Sequence, residues 1–139
     1  MPEGVKVVGT ASGREFDPTK AGGPLRKLTV ERIKITSRGI NVIERHVARF
    51  GDDAPNQRMI SRLRAIADGK LKAGQADLNF YAHELREYVR YKKLGYSTGQ
   101  PSGIEEMYEL WNNTHTAALE EYELREGVGV LYDPSALSL

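Results

Sequence analysis

Three histidines, His46, His83 and His115, are the side chains of this sequence best suited to proton transfer. An imidazole has an unperturbed pKa of about 6.5, so it gains and loses protons near neutral pH. Metal-free RNA cleavage uses one imidazole to remove the 2′-hydroxyl proton and another to protonate the leaving oxygen. An arginine or lysine stabilises the charge that develops at phosphorus. The histidines therefore predict general acid–base chemistry on a phosphodiester.

His83 has the most favourable neighbours in the sequence. Asn79 and Glu87 lie one helical turn before and after it, so a carboxylate or an amide could orient the imidazole. Arg86 and Arg90 lie on the same predicted helix and are suited to binding a phosphate. We expect His83 to be the general acid or base and its ring to open onto a solvent-accessible, positively charged hollow. The alternative is a solvated helix face with ordinary salt bridges.

The second proton-transfer group is left open between His46 and His115. His115 falls within an apolar helical pattern near Trp111 and Leu119, which favours a hydrogen-bonded core histidine. His46 borders a packed helix edge, where a structural role is slightly favoured. Arg62 is a further cation expected to bind phosphate, and Asn79 is a further residue expected to bind substrate.

A metal site is the main chemical alternative. The run from His83 to Glu87, HELRE, begins like the zinc-protease pattern HExxH but has glutamate in place of the second histidine, so that pattern is absent. Three histidines from separate helices could still converge on zinc and form a metal-dependent hydrolase. The chain has no cysteine, which excludes disulfides, thiolate ligands and a cysteine nucleophile. The primary prediction has no cofactor and no metal ligand.

Composition and charge limit the classes of protein to which this chain can belong. The chain has 139 residues, 40% of them hydrophobic and 28% charged, as expected of one globular domain. Residues 26–64 carry ten basic and four acidic residues, a net charge of +6, whereas residues 101–139 carry one basic and eight acidic residues, a net charge of −7. Such a distribution can bind a polyanion on one side, or its two ends can neutralise each other. No run approaches the roughly 20 apolar residues of a membrane span, which predicts no stable membrane insertion.

Helices are the elements expected to position these residues. Residues 77–94 have the helical apolar period and carry His83. Two helices are predicted before this one, the first capped by Thr36 or Ser37 and the second by Asp52 or Asp53. Each has an apolar stripe expected to be buried: Ile40, Ile43, Val47 and Phe50 on the first, and Met59, Ile60, Leu63 and Ile66 on the second. A fourth helix follows, opened by the capping box Ser102-x-x-Glu105.

Extended segments are predicted at both ends of the chain. Residues 1–25 are interrupted by glycine and proline and indicate a flexible linker arm with a short strand near residues 5–8. Residues 28–35 form a strand or an extended lead into the first helix, and residues 127–134 an extended tail that packs back as a short strand. The predicted fold is mainly α: a compact bundle of about four helices with extended ends and one or two short strands, with residues 26–139 as the helical domain.

Four runs within residues 35–133 resemble a known family of bacterial effectors. They are GINVIERHVARFG, MISRLRAIADGK, DLNFYAHELREYVRYKKLGY and LWNNTHTAALEEYEL. They look like the C-terminal toxin module of CdiA-type contact-dependent growth inhibition effectors, which are polymorphic toxins on filamentous-haemagglutinin-like carriers. The VENN-type tetrapeptide that commonly precedes such modules is missing from this sequence.

The resemblance implies a toxin domain that is secreted or displayed on the cell surface as part of a larger effector. Such a domain enters a neighbouring bacterium, acts in its cytoplasm, and is neutralised by a cognate immunity protein. Many toxins of this kind are nucleases, often directed at tRNA, while others cut DNA or permeabilise membranes. Together with the histidines, the resemblance predicts an RNA-cleaving toxin with tRNA as the expected substrate. The alternative is a non-enzymatic helical interaction module of a large surface protein.

Overall fold

A computed structural model describes residues 5–137 of the chain. It is mainly helical, as predicted, with helices α1 (Ser37–Ala48), α2 (Ala54–Ala67), α3 (Gln75–Lys93), α4 (Ile104–Glu121) and α5 (Pro134–Leu137), and a two-stranded sheet of β1 (Val7–Val8) and β2 (Glu15–Phe16). Two compact units can be distinguished. Within the described residues, unit 1 comprises residues 5–28 and 86–125, and unit 2 comprises residues 29–85 and 126–137.

Helices α1 and α2 of unit 2 begin where the sequence predicts them. The Thr36 side chain accepts a hydrogen bond from the backbone N–H of Gly39 at 3.2 Å and caps α1. Asp53 caps α2 in the same way and accepts from the N–H of Asn56 at 3.0 Å. Each cap contributes about 1 kcal/mol because it satisfies a backbone donor that the first helical turn leaves without an intrahelical partner.

An apolar core holds unit 2 together. Its buried members are Ile35, Ile40, Ile43, Val47, Met59, Ile60, Leu63, Phe80, Tyr81 and Ala136. Complete burial of one large apolar side chain stabilises the fold by roughly 1.5–3 kcal/mol. The predicted apolar stripes of α1 and α2 are confirmed, with Phe50 and Ile66 packed half-buried against this core.

The two ends of unit 2 contain no strand within the described residues. The lead into α1 contains a turn in which the N–H of Ile33 donates to the carbonyl of Val30 at 3.1 Å. The strand expected after Gly127 is wrong: a turn, closed by the N–H of Val130 to the Gly127 carbonyl at 3.2 Å, leads instead to α5. The tail packs back through Ala136, which is fully buried.

Residues 5–25, which the sequence predicts as part of a flexible linker over residues 1–25, contain two short strands and a 3₁₀ turn within unit 1; residues 1–4 lie outside the described residues. β1 and β2 pair antiparallel with Val7 opposite Phe16, and a 3₁₀ turn follows at Pro18–Lys20. Glycine and proline therefore mark tight turns here.

Hydrogen bonds from distant residues hold this N-terminal segment in place. The backbone N–H groups of Ala11 and Ser12 donate to the carboxylate of Glu120 at 3.0 and 2.6 Å. Burial raises the pKa of Glu120, but these hydrogen bonds outweigh it and leave that pKa below its usual value. The Glu120 carboxylate also lies so close to Gly9 that a Cβ atom there would collide with it.

The predicted capping box at the start of α4 is wrong. The helix begins at Ile104 with Gly103 as its N-cap, and no side chain accepts a hydrogen bond there. The first two turns of α4 are mostly exposed, with Ile104 at 79% and Tyr108 at 58%. The next two turns, residues 112–119, are buried on every side.

Candidate functional site

All three histidines are buried, but to different degrees. The side chains of His46 and His83, in unit 2, are 0% exposed, whereas that of His115, in unit 1, is 7% exposed. The expected opening of the His83 ring onto solvent is therefore wrong. The polar residues that follow the helical period of α3 are all buried, whereas Leu78, Leu85 and Val89 on its apolar side are only partly buried. The polar spacing therefore marks contacts inside the protein.

The best-formed acid–base pair lies in unit 1, between Glu87 of α3 and His115 of α4. The Nδ1 atom of His115 lies 3.0 Å from Oε2 of Glu87, which is a hydrogen-bond distance. The ring of Trp111 stacks on the imidazole, with centroids 4.4 Å apart and planes 19° apart. The carboxylate and the indole together fix the orientation of this imidazole.

Arg14 brings a cation to the same part of unit 1. Its guanidinium carbon lies 5.1 Å from the centroid of the Trp111 ring, within cation–π range. Its Nε donates to the Thr116 hydroxyl at 3.0 Å, and one Nη donates to the Asn112 side-chain oxygen at 2.9 Å. Positive charge is thus held beside the aromatic ring that contacts His115.

A cleft of about 160 Å³ adjoins this arrangement in unit 1. It is lined by Lys6, Asp17, Lys20, Tyr108, Glu109, Asn112 and Asn113. Asn112 borders both the cleft and the Arg14 guanidinium, and Tyr108 leaves an exposed ring at the edge. We call this the Tyr108 cleft; it offers two ammonium groups and one aromatic face.

Arg86 and Arg90, the predicted phosphate-binding residues of α3, are instead paired with a carboxylate inside unit 1. Arg86 donates two hydrogen bonds of 2.8 Å to Glu121, and Arg90 donates to it at 3.0 Å. Arg90 also donates to the carbonyls of Ala21, Gly23 and Pro24, at 2.6–3.1 Å.

Burial and pairing determine the pKa shifts of Arg86, Arg90 and Glu121. Hydrogen bonds to Glu121 raise the pKa of Arg86, whereas burial lowers the pKa of Arg90 in spite of the same partner. Burial alone would raise the pKa of Glu121, but hydrogen bonds and charges from both arginines, with the N–H of Arg26, bring it below its usual value. The three side chains thus form a charged structural group.

The other two predicted substrate-binding residues also have partners within unit 2. Arg62 donates to Asp77 through Nε at 2.9 Å and Nη2 at 2.8 Å, and these bonds raise its pKa. Asn79 accepts from Gln75 at 2.9 Å and donates to the carbonyl of Val130 at 2.9 Å. The structure therefore gives Arg62 and Asn79 structural contacts.

A second group of titratable side chains lies in unit 2. The Glu84 carboxylate has one oxygen 3.8 Å from Nε2 of His46 and the other 3.9 Å from Nε2 of His83. Two imidazoles and one carboxylate are donor types that bind transition metals. His46 and His83 belong to unit 2, and His115 belongs to unit 1.

Sequence reasoning missed Arg14, Lys6 and Lys20, since all three were assigned to a flexible arm. Glu84 was also missed as a partner of two histidines. The one available signal was the position of Glu84 directly after His83 in the HELRE run. Nothing local connects Arg14 to α4, about a hundred residues later.

No protein-family model matches this chain, and neither a curated protein nor a solved structure matches it. None of the helices in residues 5–137 is long and apolar enough to cross a membrane.

Proposed function

We propose that this chain is a toxin domain that cleaves RNA, with tRNA as the substrate, and that His115 and Glu87 carry the chemistry. The single observation behind the proposal is the 3.0 Å contact between His115 Nδ1 and the Glu87 carboxylate. A carboxylate that accepts from Nδ1–H favours the tautomer with its lone pair on Nε2, which is the tautomer that a general base needs. His115 is also the one histidine of the three with measurable side-chain exposure.

The proposed reaction is a transesterification in which one imidazole acts twice. Nε2 of His115 removes the proton of a ribose 2′-hydroxyl, and the 2′-oxygen attacks the adjacent phosphorus. The bond from phosphorus to the 5′-oxygen breaks, and the imidazolium returns the proton to that oxygen. The products are a 2′,3′-cyclic phosphate and a 5′-hydroxyl. Glu87 stabilises the imidazolium between the two steps.

The Tyr108 cleft supplies the binding surface in this proposal. A base stacks on the exposed ring of Tyr108, which is worth about 1–3 kcal/mol for such contacts. Lys6 and Lys20 attract the phosphates, and Arg14 adds positive charge beside Trp111. Charge in this cleft is mixed, since Asp17 and Glu109 also line it, which suits a defined binding site better than indiscriminate attraction of nucleic acid.

Delivery follows from the resemblance to CdiA-type effectors. We propose that a larger surface-displayed or secreted protein carries the domain into a neighbouring bacterium, where it acts in the cytoplasm. The producing cell then needs a cognate immunity protein that neutralises the domain.

Incubation of the purified chain with total RNA, purified tRNA and duplex DNA tests the proposal. We expect RNA fragments with 2′,3′-cyclic phosphate ends and intact DNA. Glu87→Gln and His115→Asn should each reduce cleavage about 100-fold or more. Glu44→Gln is the matched control, because its exposed carboxylate contacts Arg64 outside the site. Parental cleavage by both site variants, or cleavage of DNA alone, would refute the assignment.

The second candidate function is a non-enzymatic interaction module. It is favoured by the complete burial of His46 and His83 and by the pairing of Arg62, Arg86 and Arg90 with carboxylates. Expression of the chain in cells without an immunity protein separates the two candidates. Growth arrest with RNA fragments supports the nuclease, and normal growth with intact RNA supports the module.

A further inference from the structure

Two polar side chains that line the Tyr108 cleft have hydrogen-bonding groups that the protein does not use. Asp17 and Asn113 are only 4% and 5% exposed. In the described part of the chain, Oδ2 of Asp17 and Nδ2 of Asn113 make no hydrogen bond or ion pair, and both atoms reach solvent. Native proteins seldom leave largely buried polar groups without a partner, so these two atoms are available to a ligand that enters the cleft.

The hydrogen bonds that these side chains do make fix an acceptor beside a donor. The side-chain oxygen of Asn113 accepts from the backbone N–H of Asp17 at 2.9 Å. Since only oxygen can accept this bond, Nδ2 is the atom that remains. Oδ1 of Asp17 accepts from the N–H and the hydroxyl of Thr19 at 2.9 and 2.6 Å, which leaves both lone pairs of Oδ2. A carboxylate oxygen and an amide N–H group are therefore held side by side.

The rest of the cleft suits a flat, polar ring. The exposed ring of Tyr108 can stack on such a ligand, and Lys6 and Lys20 bring two ammonium groups. Asn112 contributes no free group, because its oxygen accepts from Arg14 and its Nδ2 donates to a backbone carbonyl, both at 2.9 Å. The volume of about 160 Å³ is below the roughly 300–1,000 Å³ of pockets for drug-sized molecules, so it suits a single base.

We propose that the Tyr108 cleft binds a guanine base and that Asp17 and Asn113 recognise it. Guanine is the one RNA base with two adjacent donor groups, N1–H and the 2-amino group, and these match the two free lone pairs of Oδ2. Its O6 atom, next to N1–H, accepts from Nδ2 of Asn113. The O6 and N7 atoms of guanine are also the base atoms that lysine binds most often, which suits Lys6 and Lys20.

The inference rests on the proposed function for its consequence, since RNA would then be cut beside guanosine. Base recognition is carried by Asp17 and Asn113, whereas cleavage is assigned to His115 and Glu87. A mononucleotide can occupy the cleft without being cleaved. Base binding and RNA cleavage can therefore be tested separately.

Titration of the full chain with GMP, IMP, AMP, CMP and UMP tests the proposal. Calorimetry measures the affinities, and the fluorescence of Trp111, the one tryptophan, reports on the cleft because its ring lies 5.9 Å from that of Tyr108. We expect one GMP per chain, bound at least about tenfold more tightly than AMP, CMP or UMP. IMP, which lacks the 2-amino group, should bind severalfold more weakly than GMP. No GMP binding, or equal or tighter binding of another of these nucleotides, overturns the proposal.

Competition separates recognition of the base from attraction of phosphate by the two lysines. Guanosine, which has no phosphate, should displace GMP from the chain, whereas inorganic phosphate at the same concentration should not. Displacement by inorganic phosphate and not by guanosine would assign the cleft to phosphate and overturn the proposal.

Asp17→Asn removes the carboxylate and keeps the shape of the side chain. Its oxygen can still cap the turn at Thr19, because Asn and Asp cap equally well, so we expect the variant to fold. It should lose the preference for GMP. Glu15→Gln removes an exposed carboxylate outside the cleft and should keep that preference. A parental preference in Asp17→Asn overturns the proposal. Circular dichroism checks the fold, and the comparison of GMP with IMP on the parent chain remains decisive if the variant does not fold.

The two proposals fail in different ways. A chain that prefers GMP but leaves RNA intact supports the base site and refutes the cleavage assigned to His115. A chain that cuts RNA but binds the mononucleotides equally supports cleavage and overturns the base site. When both hold, sequencing of the RNA fragments should place guanosine at the cut, and Asp17→Asn should cut without that preference.

Discussion

The interior of unit 1 and the interior of unit 2 are stabilised by different forces. Unit 2 has ten buried residues in one apolar cluster, whereas the corresponding cluster of unit 1 contains Phe16, Ala21 and Ala117. Unit 1 instead gathers buried polar contacts around Glu121, Glu120 and Glu87. Apolar packing is insensitive to the charge of any one group, while a buried ion pair fails when one partner is lost. Loss of the Glu121 carboxylate should therefore act mainly on unit 1, and loss of side-chain volume in the apolar cluster mainly on unit 2.

The largest expected effect comes from Glu121→Gln. Arg86 and Arg90 would keep their charges but lose a carboxylate that both contact, which costs about 3–5 kcal/mol. Urea denaturation measures the loss, and amide exchange of residues 112–119 should accelerate. Glu44→Gln, which weakens an exposed pair with Arg64, should change stability by about 0.5 kcal/mol or less. Similar losses for the two variants would contradict the distinction between the units.

Leu63→Ala should have a slightly smaller effect and should act on unit 2. The side chain is fully buried in the apolar cluster, and its truncation leaves a cavity that costs about 3 kcal/mol. Urea denaturation and amide exchange within α1 and α2 measure this loss of stability. The difference from the parent should be the same at pH 4 and pH 7, because no ionisable group is involved. A strong pH dependence of that difference would argue against a core held by packing alone.

Acid should weaken the contacts of unit 1. The pKa values of Glu120 and Glu121 lie below their usual values in the folded chain. An unfolded glutamate binds its proton near pH 4.3, so the unfolded chain takes up protons first as the pH falls. The stabilisation is complete above that value and is lost as the pH drops through the lower folded pKa. Denaturation midpoints between pH 6 and 2 measure the loss, and Glu121→Gln should flatten the curve. An unchanged curve for that variant would refute the role of Glu121.

The smallest effect on stability is expected for Tyr108→Ala. The ring is 58% exposed, so its removal should change the free energy of unfolding by about 0.5 kcal/mol or less. In the proposed function the same change weakens RNA binding by about 1 kcal/mol or more. Filter binding with a catalytically impaired chain measures the change in RNA affinity. Unchanged RNA affinity would remove the Tyr108 cleft from the proposal and leave the stability comparison intact.

Sequence reasoning succeeded where the determining contacts are local. Thr36 and Asp53 cap their helices through residues three positions away, so composition and spacing were sufficient. Burial of His115 within the pattern of α4 was also foreseen. The contacts of Arg14 and Glu120 with partners about a hundred residues away could not be predicted from local sequence.

The polar stripe of α3 shows a different limit. Asn79, His83 and Arg90 follow the helical period, but periodicity does not distinguish a polar face in water from one satisfied inside the protein. Each of these side chains is buried. Only the three-dimensional arrangement shows that the carboxylate of Glu87 faces His115.

The discontinuous composition of unit 1 has a consequence for its synthesis. The carbonyls of Ala21 and Gly23 contact Arg90, 69 and 67 positions later, and Ala11 contacts Glu120, 109 positions later. A ribosome adds about 5–20 residues per second, so the first strand pair leaves it seconds before these partners exist. Residues 29–85 of unit 2 emerge in that interval, and the N-terminal segment reaches its final place only once α4 has been made.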